Sequence, residues 1–202
     1  MRAVITGALI AITSGLTGAV LCDNHYVFNK LANPSVSVSE EQPAGFWATP
    51  AVKGYGEIHY DRSAAFQPTP DLSNKIVFKV GKAGSNTALP NPALEKVAQV
   101  VNLYVAAGVP VNKLKFVVAV NGGATPAMLD NVYYQKMFGT NNPNLKLISA
   151  LQSQGVKVSI CDQAIAWHHY KNDWIAGSVI HTPSALTTIT TLQNSGYAFL
   201  EM

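Results

Sequence analysis

From residue 75 onward, short runs of β-branched and aromatic residues alternate with stretches whose apolar positions recur every three or four residues, the pattern of strands followed by helices. The strands it predicts are Ile76–Val80, Leu114–Val120, Val156–Ile160, Val179–His181 and Tyr197–Leu200. In the first helical stretch Leu94, Val97, Val101 and Tyr104 share one face, and in the last Leu186, Ile189 and Leu192 do so; both stripes read as core rather than as cofactor contacts. Asn91-Pro92, Thr125-Pro126, Asn142-Pro143 and Thr182-Pro183 each set a capping side chain ahead of a residue with no N–H to lose, the expected chemistry of a helix start. Gly108, Gly155 and Gly196 stand where a helix ends on a left-handed residue. This alternation predicts an α/β domain over residues 75–202, with a mainly parallel five-stranded sheet and no internal repeat.

Residues 23–74 follow neither period. Pro34, Pro43, Pro50, Pro68 and Pro70 interrupt them, so regular structure should be sparse. Phe46, Trp47, Tyr55, Tyr60 and Phe66 are nevertheless too many aromatics for a solvated tether, and each gains on the order of 2 kcal/mol by burial. The expectation is an extended, Pro/aromatic-rich arm lying over the main domain or over a neighbouring subunit. Ahead of it, Ala3 to Leu21 carry no charge and end in Thr17-Gly18-Ala19, a small-x-small pattern. Residues 1–22 are therefore expected to be a signal peptide, giving a periplasmic or secreted protein. A retained membrane anchor is the alternative, disfavoured because Thr6, Gly7, Ser14, Gly15, Thr17 and Gly18 dilute the apolar run. Leu21 ahead of Cys22 argues against a lipoprotein signal.

Composition narrows the class. Of 202 residues, 14 are Lys or Arg and 11 are Asp or Glu, so charged residues make up 12% and apolar ones 48%. That excludes a disordered chain and a coiled coil. The formal net charge of +3 is spread over scattered positions, which argues against nucleic acid as a partner. Two cysteines, Cys22 and Cys161, cannot make a disulfide framework.

Ligands of open α/β sheets bind beyond the carboxyl ends of the strands. Three predicted junctions fall there: Asn121-Gly122-Gly123-Ala124-Thr125, Cys161-Asp162 and His181-Thr182-Pro183-Ser184. Gly122 and Gly123 either let backbone N–H groups approach an anion or serve a tight turn. Neither GxGxxG nor GxxxxGK[ST] is present, so no dinucleotide or nucleoside triphosphate site is expected. Cys161 ends an apolar strand and precedes a helical stretch, where unpaired N–H groups favour thiolate; the alternative is a buried, inert cysteine. His168 and His169 are adjacent on a helix and point about 100° apart, which disfavours a shared metal, and no metal site is expected. His181 is a candidate proton acceptor for Cys161 if their strands are neighbours. Trp47, Trp167 and Trp174 read as packing or interface residues. GxSxG, HExxH and CxxC are absent, which argues against hydrolysis and against a dithiol oxidoreductase.

Taken together, Lys75-Ile76-Val77-Phe78-Lys79-Val80, Leu103 to Pro110, Val120 to Thr125, Asn141 to Leu145, Gly155 to Gln163 and Gly196 to Phe199 resemble the DsrE/DsrF-like (YchN-like) family. Phe46-Trp47-Ala48-Thr49-Pro50 with Gly54-Tyr55-Gly56 resembles the segment ahead of the domain in its exported bacterial branch. The resemblance implies a Rossmann-like three-layer αβα domain that assembles as a homo-oligomer, a trimer or hexamer, with sites near subunit boundaries. It also implies that Cys161 occupies the position at which sulfur-relay members carry sulfane sulfur as a persulfide between a donor and an acceptor, with no cofactor because the sulfur atom is the cargo. Asn121, Gly122, Gly123, Thr125 and His181 are the candidate residues around it. The rival expectation is a non-catalytic oligomeric binding or scaffold module with a structural cysteine.

Overall fold

The computed structural model describes Pro43 and residues 45–202. The expected signal, Cys22 and the first part of the arm lie outside the described residues. In chain order the elements are β1 (Lys75–Val80), α1 (Pro92–Ala106), β2 (Lys115–Val120), a 3-10 helix (Gly122–Met128), α2 (Asn131–Phe138), α3 (Asn144–Ser153), β3 (Lys157–Cys161), α4 (Asp162–Trp167), β4 (Ile180–Thr182), α5 (Ala185–Asn194) and β5 (Ala198–Glu201). The five strands pair parallel in the order β4-β3-β2-β1-β5. Predicted and observed strand ends differ by a single residue, and that shift makes Cys161 the last residue of β3.

Side chains alternate across each strand, so two registers of apolar residues feed two cores. On the first face Ile76, Phe78, Val80, Phe116, Val118, Val120, Val158 and Ile160 meet Leu94, Val97 and Val101 of α1 and Leu147, Ile148 and Leu151 of α3. Phe116 holds the edges of this core, with the Phe78 and Tyr104 rings edge-on to it at 5.4 and 5.1 Å. On the second face Val77, Val117 and Ala119 pack against Ile189 of α5. The result is a Rossmann-like three-layer α/β domain. Its two covers are unequal: five strands span about 19 Å, whereas one helix is about 10 Å wide. Ile180 of β4 and Phe199 of β5, on the flanks of the second face, remain 46% and 38% exposed.

The proline-led helix starts resolve differently from one another. Asn91 caps α1 as expected, its Oδ1 accepting from the Ala93 N–H at 2.9 Å with Pro92 at the first turn. Asn142 acts from one position further out, its Oδ1 accepting from the Asn144 N–H at 3.0 Å. Thr125-Pro126 starts no α-helix. Pro126 sits inside the 3-10 helix, Thr125 is buried, and Asp130 caps α2 by accepting from the Val132 N–H. Nor does Thr182 cap α5: its hydroxyl donates to the Ile160 carbonyl across the β3–β4 pair, and Ser184 takes the capping role. In both cases tertiary surroundings override the cap: Thr182 is engaged by the neighbouring strand, and Thr125 is buried inside the 3-10 helix. Gly108, Gly155 and Gly196 have φ of +94°, +78° and +84°, the left-handed conformation that ends a helix.

Residues 45–74 form no helix or strand, only an antiparallel bridge between Ala48 and Ile58. They are held to α1 by a polar residue within its core stripe. Asn102 is fully buried, and its Oδ1 accepts from the Ala51 and Val52 N–H groups at 2.9 and 2.8 Å. Its Nδ2 donates to the Tyr55 and Gly56 carbonyls at 2.9 and 2.8 Å, so one carboxamide satisfies four backbone groups. Beside it the Gly56 N–H donates to Glu95 Oε2 at 2.8 Å. Gly56 has φ +61°, and a Cβ there would lie 2.8 Å from that of Ala98, so only glycine fits.

Asn102→Leu strands four buried backbone groups, and urea unfolding should show a loss of about 3–5 kcal/mol. Asn102→Gln keeps the amide but misplaces it and should lose less. A change within 1 kcal/mol for Asn102→Leu, on the order of an exposed site, would mean that the arm is not part of the cooperative unit.

Candidate functional site

The carboxyl ends of β1 and β2 feed two loops that meet, and β3 passes directly into α4, whose far end reaches the second of them. The loop after β2 turns at Asn121 to Gly123 against the loop after β1. A Cβ on Gly122 would stand 3.1 Å from the Gly81 carbonyl oxygen, and one on Gly123 the same distance from the Ala83 nitrogen. The two glycines therefore serve a backbone-to-backbone contact between loops, with Gly122 at φ +53°. Asn121 Oδ1 and Thr125 Oγ1 are buried there without a hydrogen-bond partner among the described residues. The Gly122 carbonyl accepts from His168 Nε2 at 2.9 Å, which ties this loop to the end of α4.

Cys161 and Asp162 form the junction of β3 and α4. Cys161 is 6% exposed and packs with Ala164 of α4 and Ala185 of α5. β4 lies beside β3 in parallel, with Cys161 opposite Thr182 and Ile160 opposite His181. Alternation along the strands sends the His181 side chain to the face opposite Cys161. There its Nδ1–H donates to Asp162 Oδ1 at 2.8 Å, both side chains about one-third exposed. The structure thus brings His181 to Asp162 and Gly122 to His168, and places Cys161 between α4 and α5 under two methyl groups.

Trp167 is 78% exposed at the far end of α4, and Trp174 stacks on Tyr133 with ring centres 4.8 Å apart. Among the described residues no three His, Cys, Asp or Glu side chains converge as metal ligands, and no helix is long and apolar enough to cross a membrane.

A family model described as the DsrE/DsrF-like family matches residues 82–202. The chain belongs to that family. A solved structure of a protein of unknown function from Methanobacterium thermoautotrophicum is similar to the DsrE/DsrF-like chain at 16% identity, with a TM-score of 0.47, covering 63% of this chain and 97% of its own. No curated protein matches. Among the described residues the family match takes in every helix and four of the five strands; β1 and the arm precede it.

Sequence reasoning passed over one set of polar residues in this DsrE/DsrF-like domain. Asn91, Asn142 and Asn144 are nine-tenths or more buried. The Asn91 N–H donates to Asn144 Oδ1 at 2.7 Å, Asn144 Nδ2 donates to Asn142 Oδ1 at 2.9 Å, and Asn142 Nδ2 donates to the Ala127 and Leu129 carbonyls. This chain of amides couples the start of α1 to the start of α3 and to the 3-10 helix, so the carboxyl-end loops are fixed from beneath. The signal was present as the asparagines flanking Pro143, of which Asn142 was read only as a cap and Asn144 was given no role. Close by, Tyr134 donates to the Thr87 carbonyl at 2.8 Å, and burial raises its phenol above the usual range.

The two histidine contacts require opposite tautomers, since a carbonyl and a carboxylate only accept. Long-range proton–nitrogen spectra of the neutral rings should show His168 protonated at Nε2 and His181 at Nδ1. Asp162→Asn should shift the tautomer balance of His181 and leave His168 unchanged. The same tautomer at both rings would rule out one of the contacts.

Proposed function

We propose that this DsrE/DsrF-like chain is an exported sulfur-handling protein in which Cys161 carries sulfane sulfur as a persulfide. The observation that carries the reading is the position of Cys161 at the last residue of β3, beside the start of α4, within a domain of a family associated with sulfur relay. The Cys161 thiolate attacks the sulfane sulfur of a donor. A new S–S bond forms, the donor's own S–S bond breaks, and its electron pair leaves on sulfite from thiosulfate, or on a chain one sulfur shorter from polysulfide. An acceptor thiolate then attacks the outer sulfur, and the electron pair of the broken S–S bond returns to Cys161 as thiolate. No external oxidant enters either step. The cover over the sulfur is slight: two alanine methyls, a six-residue α4 and a three-residue β4. Short edge elements of this kind open at a fraction of the global unfolding cost, which gives donor and acceptor a way in.

The reading includes a homo-oligomer. From Trp174 to Leu200 the sequence contains no Asp, Glu, Lys or Arg. That run makes β4, α5 and most of β5, which carry Leu186 at 72% exposure together with Ile180 and Phe199. An uncharged, partly apolar layer over an incompletely covered sheet face suits burial against another copy. Light scattering should read a multiple of the monomer mass, and Leu186→Lys should lower it.

A second reading, a non-catalytic oligomeric binding or scaffold module, is favoured by the burial of Cys161 between Ala164 and Ala185. The two separate in one experiment. In a Cys22→Ser background, polysulfide treatment followed by intact mass measurement should add one sulfur atom, removable by a reductant, and Cys161→Ser should add none. If the folded oligomer takes up neither sulfur nor an alkylating agent at Cys161, the module reading stands.

A further inference from the structure

The outer side of α1 carries an apolar stripe of Val100, Leu103 and Tyr104, each half-buried, with Val100 and Tyr104 also packing against the core. The arm passes over this stripe without filling it, leaving a groove of about 320 Å³ between α1 and Tyr60, Asp61 and Pro68. That volume lies within the range of small-molecule sites, roughly 300–1,000 Å³. The arm residues of the groove precede the family match, whereas Val100, Leu103 and Tyr104 of α1 fall within it.

We propose that this groove binds an organic cation with an apolar body, an aryl- or alkylammonium, its hydrocarbon against Val100, Leu103 and Pro68 and its nitrogen between Asp61 and the Tyr60 and Tyr104 rings.

The charge pattern selects the cation. Asp61 is the only Asp, Glu, Lys or Arg on the groove wall. The Ser63 hydroxyl and N–H both donate to its Oδ1, at 2.7 and 2.8 Å, which holds the carboxyl below its ordinary range and ionised at neutral pH. Its other oxygen accepts no hydrogen bond among the described residues. Burial holds the Tyr104 phenol above its usual range, so the ring stays neutral and presents an electron-rich face, the partner an ammonium seeks.

The wall is also set in advance. The Tyr60 hydroxyl donates to Gln67 Oε1 at 2.5 Å, and Gln67 Nε2 donates to the Asp61 and Ala64 carbonyls at 3.0 and 2.9 Å. On the same wall the His59 ring stacks on Phe46 at 3.9 Å. A ligand therefore orders little of the protein on entering.

The test is a titration of isotope-labelled protein with benzyltrimethylammonium, followed by proton–nitrogen correlation spectra, with benzyl alcohol and benzoate as neutral and anionic forms of the same ring. The cation should shift residues 59–68 and 100–104 saturably and bind more tightly than either control. Asp61→Asn, in an exposed loop, and Tyr104→Leu should each weaken it about fivefold. Cys161→Ser should leave it unchanged, which keeps this site separate from the sulfur chemistry. Equal binding of benzyl alcohol and the cation, no saturable shift, or full affinity in Asp61→Asn overturns the proposal.

Discussion

A parallel sheet whose central strands are apolar on both sides must be covered on both sides, and the rest of this molecule is arranged around that requirement. Val77, Phe78, Val118, Val120, Val158 and Ile160 are sealed from solvent. The first face is covered by α1 and α3, and α1 is covered in turn by the arm. The second face receives α5, which crosses β1, β2 and β5 and is joined by Ala164 of α4 over Cys161, and both flanks are left short of cover. The edge at β5 is tied back by Lys79, whose ammonium bonds Glu201 at 2.9 Å and draws that carboxyl below its usual range; in water this contact sets register more than stability.

Uneven cover explains where polar groups are spent. On the covered side four buried asparagines are paired: Asn102 satisfies four backbone groups of the arm, and Asn91, Asn144 and Asn142 link helix starts to the 3-10 helix. Each such amide left without partners costs about 1–3 kcal/mol, so their placement is as restrictive as that of the large apolar side chains. At the carboxyl ends the same economy makes the glycine pair a seam between two loops. It leaves the Cys161 thiol in the thin part of the structure, where a short helix and a short edge strand meet.

Strand positions, helix stripes and the α/β alternation were legible because period two and period three-to-four patterns come directly from burial, and here burial is nearly complete. Cys161 was legible as a strand-end cysteine for the same reason. The threonines before Pro126 and Pro183 were misleading because hydroxyl capping is worth only about 1 kcal/mol, and a neighbouring strand or a buried turn outweighs it. His181 as partner to Cys161 rested on an unknown register; pairing it with Ile160 turns its ring to the other face and gives it to Asp162. Asn102 was detectable in principle, as a carboxamide in line with Leu94, Ala98 and Val101, but its meaning lay in backbone groups some fifty residues earlier.

Local order in the chain was enough to specify the elements, their sequence and the family to which the domain belongs, since these follow from side-chain periodicity and the turn chemistry of glycine and proline. Which strands are neighbours, which loops touch at the carboxyl ends, how deeply Cys161 lies and where the arm rests on α1 were settled by long-range packing. Those contacts join residues forty or more positions apart in the case of Gly122 with His168 and of Asn102 with the arm, and no periodic signal spans such a separation.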